Sequence, residues 1–232
     1  MTTVSVVIPV HGITVWLPAA VASIHAAPGF DVEILVVDDG CPDPVELEPS
    51  ALSDVSLRIL RQDHLGAGAA RNEGVRHSEG SILMFLDADD LWKRGKVEIQ
   101  AQLIEAEPDA IHCAWVEEFS SFAPAELPPA GPRERLLKGP SIITTAVRKD
   151  VALDIGPFPE DLRAGENIDW FLRAEGLGIP IRVHPEILAE RRIHSGNRDR
   201  RSRPDSADYL TVIRRHRMNR SAPSSSPEPP KP

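Results

Sequence analysis

Three short apolar runs constrain this chain more than any other feature. Residues 4–10 read VSVVIPV, residues 32–40 read VEILVVDDG, and residues 81–90 read SILMFLDADD. Each is nearly continuous in β-branched and aliphatic side chains, without the alternation of a half-exposed strand, as expected of strands buried on both faces of a parallel sheet. Each stops abruptly at turn or acidic residues: His11-Gly12, Asp38-Asp39-Gly40, and Asp87 to Asp90. Between them lie helical patterns. Trp16, Leu17, Ala20, Val21 and Ile24 recur at three- and four-residue steps, residues 66–78 (GAGAARNEGVRHS) form a glycine-opened helix, and residues 93–107 form an amphipathic helix stopped by Pro108. A short strand, SLRILRQ, precedes the second of these helices. The alternation predicts an α/β fold with a mainly parallel central sheet and helices on both faces. In such sheets ligands bind at the carboxyl ends of strands, near the point where strand order reverses. Both acidic clusters fall at such ends and would share one crevice.

Beyond Pro108 the pattern changes. AIHCAWVEEF (110–119) predicts a strand, SSFAPAELPPAGPRE (120–134) a proline-rich loop, and PSIITTAVRKDVALDIGPF (140–158) a strand, a short helix and a turn. ENIDWFLRAE (166–175) predicts a helix ended by Gly176 and Gly178, and two short strands follow, IPIRVH and EILAERRIH. The reading is one domain over residues 1–220, with a ligand-binding half to residue 108, a second half over 109–197 and a basic segment over 198–220. The last residues, 221–232, hold nine Pro or Ser in twelve and are expected to be disordered.

Charge narrows the partners. A formal net charge of -9 argues against nucleic acid, whose phosphates are held by concentrated Lys and Arg. The exception is local: residues 191–220 carry ten Arg and no Lys against three Asp and no Glu, which suits a solvated basic face or a peripheral membrane contact. The two cysteines, Cys41 and Cys113, show no metal-ligand spacing, which fits a reduced, cytoplasmic setting. The opening residues read as a strand and not a signal peptide, and no apolar run approaches the roughly 18 residues of a membrane helix.

Asp87, Asp89 and Asp90 pose an electrostatic problem. Two carboxylates about 5 Å apart repel by roughly 3 kcal/mol at an effective dielectric near 20. Alternate residues at a strand end share a face, so Asp87 and Asp89 are expected to converge on a hard divalent cation with oxygen ligands. The glycines of GAGAARNEG are a loose match to a dinucleotide fingerprint and are read as permitting close helix packing; no phosphate-binding GxxxxGK[ST] is present.

SVVIPVHG, ILVVDDG, GAGAARNEG, MFLDADD and GENIDWFLRAEGLG, in this order and spacing, resemble the family 2 glycosyltransferases, inverting enzymes of the GT-A fold that use nucleotide-diphosphate sugars. The resemblance covers residues 4–197. It implies that Pro9, Val10 and His11 border the nucleobase and that Asp39, with Asp38 beside it, accepts a hydrogen bond from the base. It places Arg71 against the nucleotide and Asp87 near the ribose or, through water, the metal. Asp89 would bind Mg2+ or Mn2+ directly, and His194 would complete the metal's coordination. Asn197 and its neighbouring arginines would form a lid over the phosphates. The acceptor would be a saccharide, a lipid or a peptide.

The helix beginning Gly165-Glu166-Asn167-Ile168-Asp169 departs from the resembling pattern, which has Asp, the general base, where this chain has Asn167. Asn takes no proton at neutral pH. Three readings follow: Glu166 or Asp169 is the base with Asn167 orienting the acceptor, or the acceptor is already partly ionised, as a thiol is, or the chain binds a nucleotide sugar without turning it over. A nucleotidyltransferase of related fold is the enzymatic alternative, and it should carry a basic glycine-rich loop after the first strand, where PVHGITVW has no Lys or Arg.

Overall fold

The computed structural model describes residues 2–12, 14–47, 55–120, 135–194 and the helix 206–221, the last with side chains from 208 to 216. The chain runs β1 (Thr2–Val10), α1 (Leu17–Ala22), β2 (Phe30–Asp39), β3 (Ser56–Gln62), α2 (Ala67–His77), β4 (Ile82–Phe85), β5 (Leu91–Trp92) and α3 (Lys96–Ala106). It continues with β6 (Ile111–Ser120), β7 (Leu136–Leu137), a 3-10 turn (Ile142–Thr144), β8 (Ala146–Arg148), α4 (Lys149–Ile155), α5 (Glu166–Gly176), β9 (Ile181–Ile193) and α6 (Ser206–Ser221).

One sheet carries the molecule, in the order β3-β2-β1-β4-β8-β6-β9-β5, with β7 added beside β6. The long ladders, β1 with β2, β2 with β3 and β6 with β9, are parallel; antiparallel pairing is confined to short contacts of β4, β5, β6 and β7 with their neighbours. Strand order reverses at β1, which has β2 on one side and β4 on the other. The apolar runs account for this centre, since Val4, Val6, Val7, Ile8, Ile34, Leu35, Val36 and Val37 are fully buried. The α2 glycines do serve packing: a Cβ on Gly74 would stand 2.3 Å from Val7 Cγ1, and one on Gly68 would stand 2.4 Å from the Pro159 carbonyl oxygen.

Three expectations are corrected. The fourth strand does not run to Asp90: it ends at Phe85, and the Asp90 amide bonds back to the Asp87 carbonyl at 3.1 Å, so the acidic residues occupy a turn. The expected strand before α4 is shorter than its sequence, because Ile142–Thr144 wind into the 3-10 turn. The two C-terminal strands are one, β9. Its register against β6 slips between Ala114 and Trp115, where the partner jumps from His184 to Ile187. Pro185, which has no N–H to donate, lies in that gap. The serine- and proline-rich end beyond residue 221, and Asn197, lie outside the described residues.

Candidate active site

The carboxyl ends of β1, β2 and β4 meet at the reversal of strand order. Asp38 and Asp39 close β2 with different tasks. Asp38 is buried and turned inward, accepting from the amides of Cys41 (2.8 Å) and Val45 (3.2 Å) and from Arg61 Nη1 (2.6 Å). Burial opposes its ionisation, yet the Cys41 and Val45 bonds and the Arg61 charge outweigh that and hold its carboxyl below the usual range. Asp39 faces the loop between β3 and α2. Its oxygens accept from Gln62 Nε2, Leu65 N, Gly66 N and the His64 ring. Gly40 makes this possible: at φ +70 the chain turns, and a Cβ there would stand 2.8 Å from the His64 amide nitrogen. His11, just past β1, bonds through Nδ1 to the Asp39 carbonyl at 2.7 Å and stacks on His64 with ring centroids 3.7 Å apart.

Arg71 of α2 is 2% exposed and ties two elements together. Its Nη2 donates to Asp87 Oδ1 at 2.7 Å and its Nη1 to Glu166 Oε1 at 2.8 Å. The guanidinium expected to face a nucleotide is therefore already committed to two carboxylates, while its buried Nε meets no acceptor among the described residues.

The turn after β4 sends its acids in different directions. Asp87 goes to Arg71, and Asp89 Oδ2 lies 3.0 Å from His194 Nε2 at the end of β9. Asp90 points inward and accepts from the Arg192 amide at 2.8 Å. Burial first, then the Asp89 and Asp87 charges, push the Asp90 carboxyl well above the usual carboxylate range. Of the three residues expected on one ion, Asp87 pairs with Arg71, and Asp89 and His194 pair with each other. Among the described residues, only His11, Asp39 and His64 bring three ligand-type atoms within 4.8 Å of one another. Asp89 and His194 meet at hydrogen-bond distance, and a carboxylate beside an imidazole is a donor set that Mg2+ or Mn2+ accepts.

On α5 the three candidate residues part company. Helix geometry puts residues two apart about 200° around the axis, so Asn167 and Asp169 do not share a face. Asp169 accepts from Arg173 Nε at 2.9 Å and lines an open cavity of about 430 Å³ with Pro157, Pro159, Arg215 and His216. Glu166, 7% exposed, is the acid turned to Arg71 and so to Asp87. Asn167 Oδ1 is buried without a donor among the described residues.

A sequence model of glycosyl transferase family 2 matches residues 5–153, more than half of the chain. The chain belongs to glycosyl transferase family 2. Relatives of this family 2 member include the glycosyltransferase AglE of Haloferax volcanii, 29% identical over 80% of this chain and 65% of AglE. An uncharacterized glycosyltransferase of Rickettsia felis is 37% identical over 45% of this chain and 17% of its own length. The chain thus spans from about a sixth to about two thirds of these proteins. Over 94% of the chain the structure superposes on S. aureus TarS 1-349 in complex with UDP-GlcNAc, with a TM-score of 0.68, 17% identity and 66% of that chain covered. This likeness bears on the fold, which is GT-A.

Sequence reasoning missed His64, Gln62 and Arg192. Arg192 was read with the exposed basic stretch; instead it is buried between the rings of Trp16 (4.2 Å) and Phe119 (4.6 Å), and its Nε donates to the Asp89 carbonyl at 2.9 Å. The signal available was its place on a strand, where alternate residues face inward.

Proposed function

We propose that this family 2 member transfers a sugar from a nucleotide-diphosphate donor to an acceptor, with inversion at the anomeric carbon and with Mg2+ or Mn2+. The observation that carries the reading is the Asp89–His194 pair at 3.0 Å, set beside the Asp87–Arg71–Glu166 chain where the strand order reverses. A uridine nucleotide is the first candidate donor. TarS was solved with UDP-GlcNAc, and a matched E. coli protein, WfgD, is a UDP-Glc:alpha-D-GlcNAc-diphosphoundecaprenol beta-1,3-glucosyltransferase, 28% identical over 44% of this chain.

In this reading His11 and Asp39 receive the base, and Asp89 and His194 hold the cation. Bound there, the cation is a Lewis acid that offsets negative charge on the departing diphosphate. The acceptor oxygen attacks the anomeric carbon opposite the diphosphate, the bond from that carbon to the phosphate oxygen breaks, and Glu166 takes the acceptor proton. Arg71 engages Glu166 Oε1 and so leaves Oε2 for that proton. Asp169 is turned to Arg173 and serves the α5 scaffold. The orphaned Oδ1 of Asn167 is suited to accept from a sugar hydroxyl.

A lipid-linked acceptor fits the acceptor side best. α6 rests on the loop leading into α5, with Asp208 Oδ2 accepting from the amides of Arg163 (3.0 Å) and Ala164 (3.2 Å), and it exposes Leu210, Ile213 and Arg214. Among the described residues no helix is long and apolar enough to cross a membrane; the surface this reading offers to a bilayer is the exposed side of α6.

Thermal unfolding with UDP, GDP and dTDP, each with and without Mn2+, tests the donor side, because a ligand of the folded state raises the melting temperature. One nucleotide should shift melting more with Mn2+ than without, and Asp89→Asn and His194→Ala should lose the Mn2+-dependent part. A flat response to all three nucleotides would contradict the assignment.

A further inference from the structure

His64 has no task in the reading above, and its surroundings supply one. Asp39 Oδ1 accepts from Gln62 Nε2 and Leu65 N, both at 2.8 Å; Oδ2 accepts from Gly66 N at 2.9 Å and from His64 Nδ1 at 3.0 Å. A carboxylate offers about four lone-pair positions. Asp39 is therefore saturated, and a nucleobase N–H finds no free oxygen unless one donor leaves.

The donor able to leave is the imidazole. Leu65 and Gly66 donate from the backbone, and Gln62 projects from a strand paired with β2. The His64 side chain is 60% exposed. It also lies flat on His11, with ring centroids 3.7 Å apart and planes 19° from parallel. A planar ring stacked on His11 and giving a ring N–H to Asp39 occupies the place, and makes the bonds, of a nucleobase.

We propose that His64 is a stand-in for the nucleobase, so that nucleotide binding is an exchange: the imidazole swings out and the base takes both its stack on His11 and its bond to Asp39 Oδ2. The inference rests on the assignment of His11 and Asp39 to the base. It also makes Asp39 selective. A base with a ring N–H on its pairing edge, such as uracil, thymine or guanine, replaces the imidazole donor in kind. Cytosine and adenine present a ring nitrogen lone pair there, so only their exocyclic amino group can donate, from a position displaced from that of the imidazole N–H.

In the exchange the bond from the base to Asp39 replaces the one His64 made, so removing His64 should strengthen binding by about the worth of a bond, on the order of five- to tenfold. The test is calorimetric titration of the full chain with UDP, CDP and inorganic pyrophosphate in Mn2+. His64→Ala should bind UDP five- to tenfold more tightly and bind pyrophosphate, which carries no base, as the parent does; the parent should prefer UDP to CDP. In parallel, the His64 ring resonances should shift with UDP and stay put with pyrophosphate, a readout that needs no variant to fold. Weaker or unchanged UDP binding by His64→Ala would overturn the exchange. If His11→Ala and Asp39→Asn also leave UDP affinity untouched, the base assignment itself fails and takes the exchange with it.

Discussion

Asn167 stands where the resembling sequences carry an acid, and the two neighbouring acids are separated by what holds them. Arg71 ties Glu166 to the Asp87 side of the crevice, whereas Asp169 is held by Arg173, whose Nη1 and Nη2 also donate to the Ile155 and Pro157 carbonyls. A positioned base contributes about 10² to 10⁴ in rate. Glu166→Gln should therefore lower single-turnover sugar transfer by about that factor while UDP affinity changes little. Asp169→Asn should keep transfer within a few-fold and instead lower stability in urea by about 1 kcal/mol, since it weakens one charge-assisted bond on the helix. The opposite pattern would make Asp169 the base. Sequence spacing left the two equal because they lie three apart on one helix; which of them faces the crevice depends on Arg71 and Arg173, one from a distant helix and one a turn further on.

At the scale of elements, what sequence patterns revealed was the buried half of the sheet. β1, β2 and β4 are buried on both faces, while their order, β2-β1-β4, is set by a crossover that the local pattern does not report. What they concealed is set by partners far along the chain. The acidic turn after β4 is shaped by Arg192 and His194 of the β9 end, about a hundred residues later, and no local pattern reports such pairing. α6 is the clearest case, because its basic composition suggested a solvated face or a peripheral membrane contact without reporting which residues face out. The structure gives it two sides: Val212 is buried and Asp208 caps the loop before α5, while Leu210, Ile213 and Arg214 face out. An exposed aliphatic pair within an arginine-rich segment is suited to an anionic bilayer, where each basic residue near the surface is worth about 1 kcal/mol. The full chain should sediment with vesicles containing phosphatidylglycerol and not with pure phosphatidylcholine, and salt should release it. Replacing Leu210 and Ile213 together by Glu should abolish sedimentation without lowering nucleotide affinity. Equal binding to neutral vesicles would remove charge from the explanation.

The whole molecule carries one internal cost unrelated to its site. Lys96, at the start of α3, is fully buried, with its amine 3.7 Å from the Trp92 ring centroid and 3.8 Å from Met84 Sδ, and no carboxylate among the described residues pairs with it. Burial pushes this amine well below the ordinary lysine value. In the unfolded chain the same amine titrates normally, near 10.4. Between its folded and unfolded pKa the group is charged only when the chain is unfolded, so unfolding takes up a proton and stability rises with pH across that window. Below the folded pKa both states are charged, and above the unfolded one neither is, so the slope from this group vanishes at either end. Lys96→Met keeps the length of the side chain and removes the titration. It should raise stability near neutral pH by roughly 1 kcal/mol, in the range of other corrections to suboptimal core positions, and flatten the rise of stability with pH on the approach to the unfolded value of about 10.4, measured by urea unfolding. Calorimetric unfolding enthalpies in buffers of different ionisation heat should show proton uptake in the parent and less in the variant. A variant that is less stable at pH 7, with the parent's slope intact, would mean that the amine is charged in the fold and that the Trp92 ring holds it as a cation.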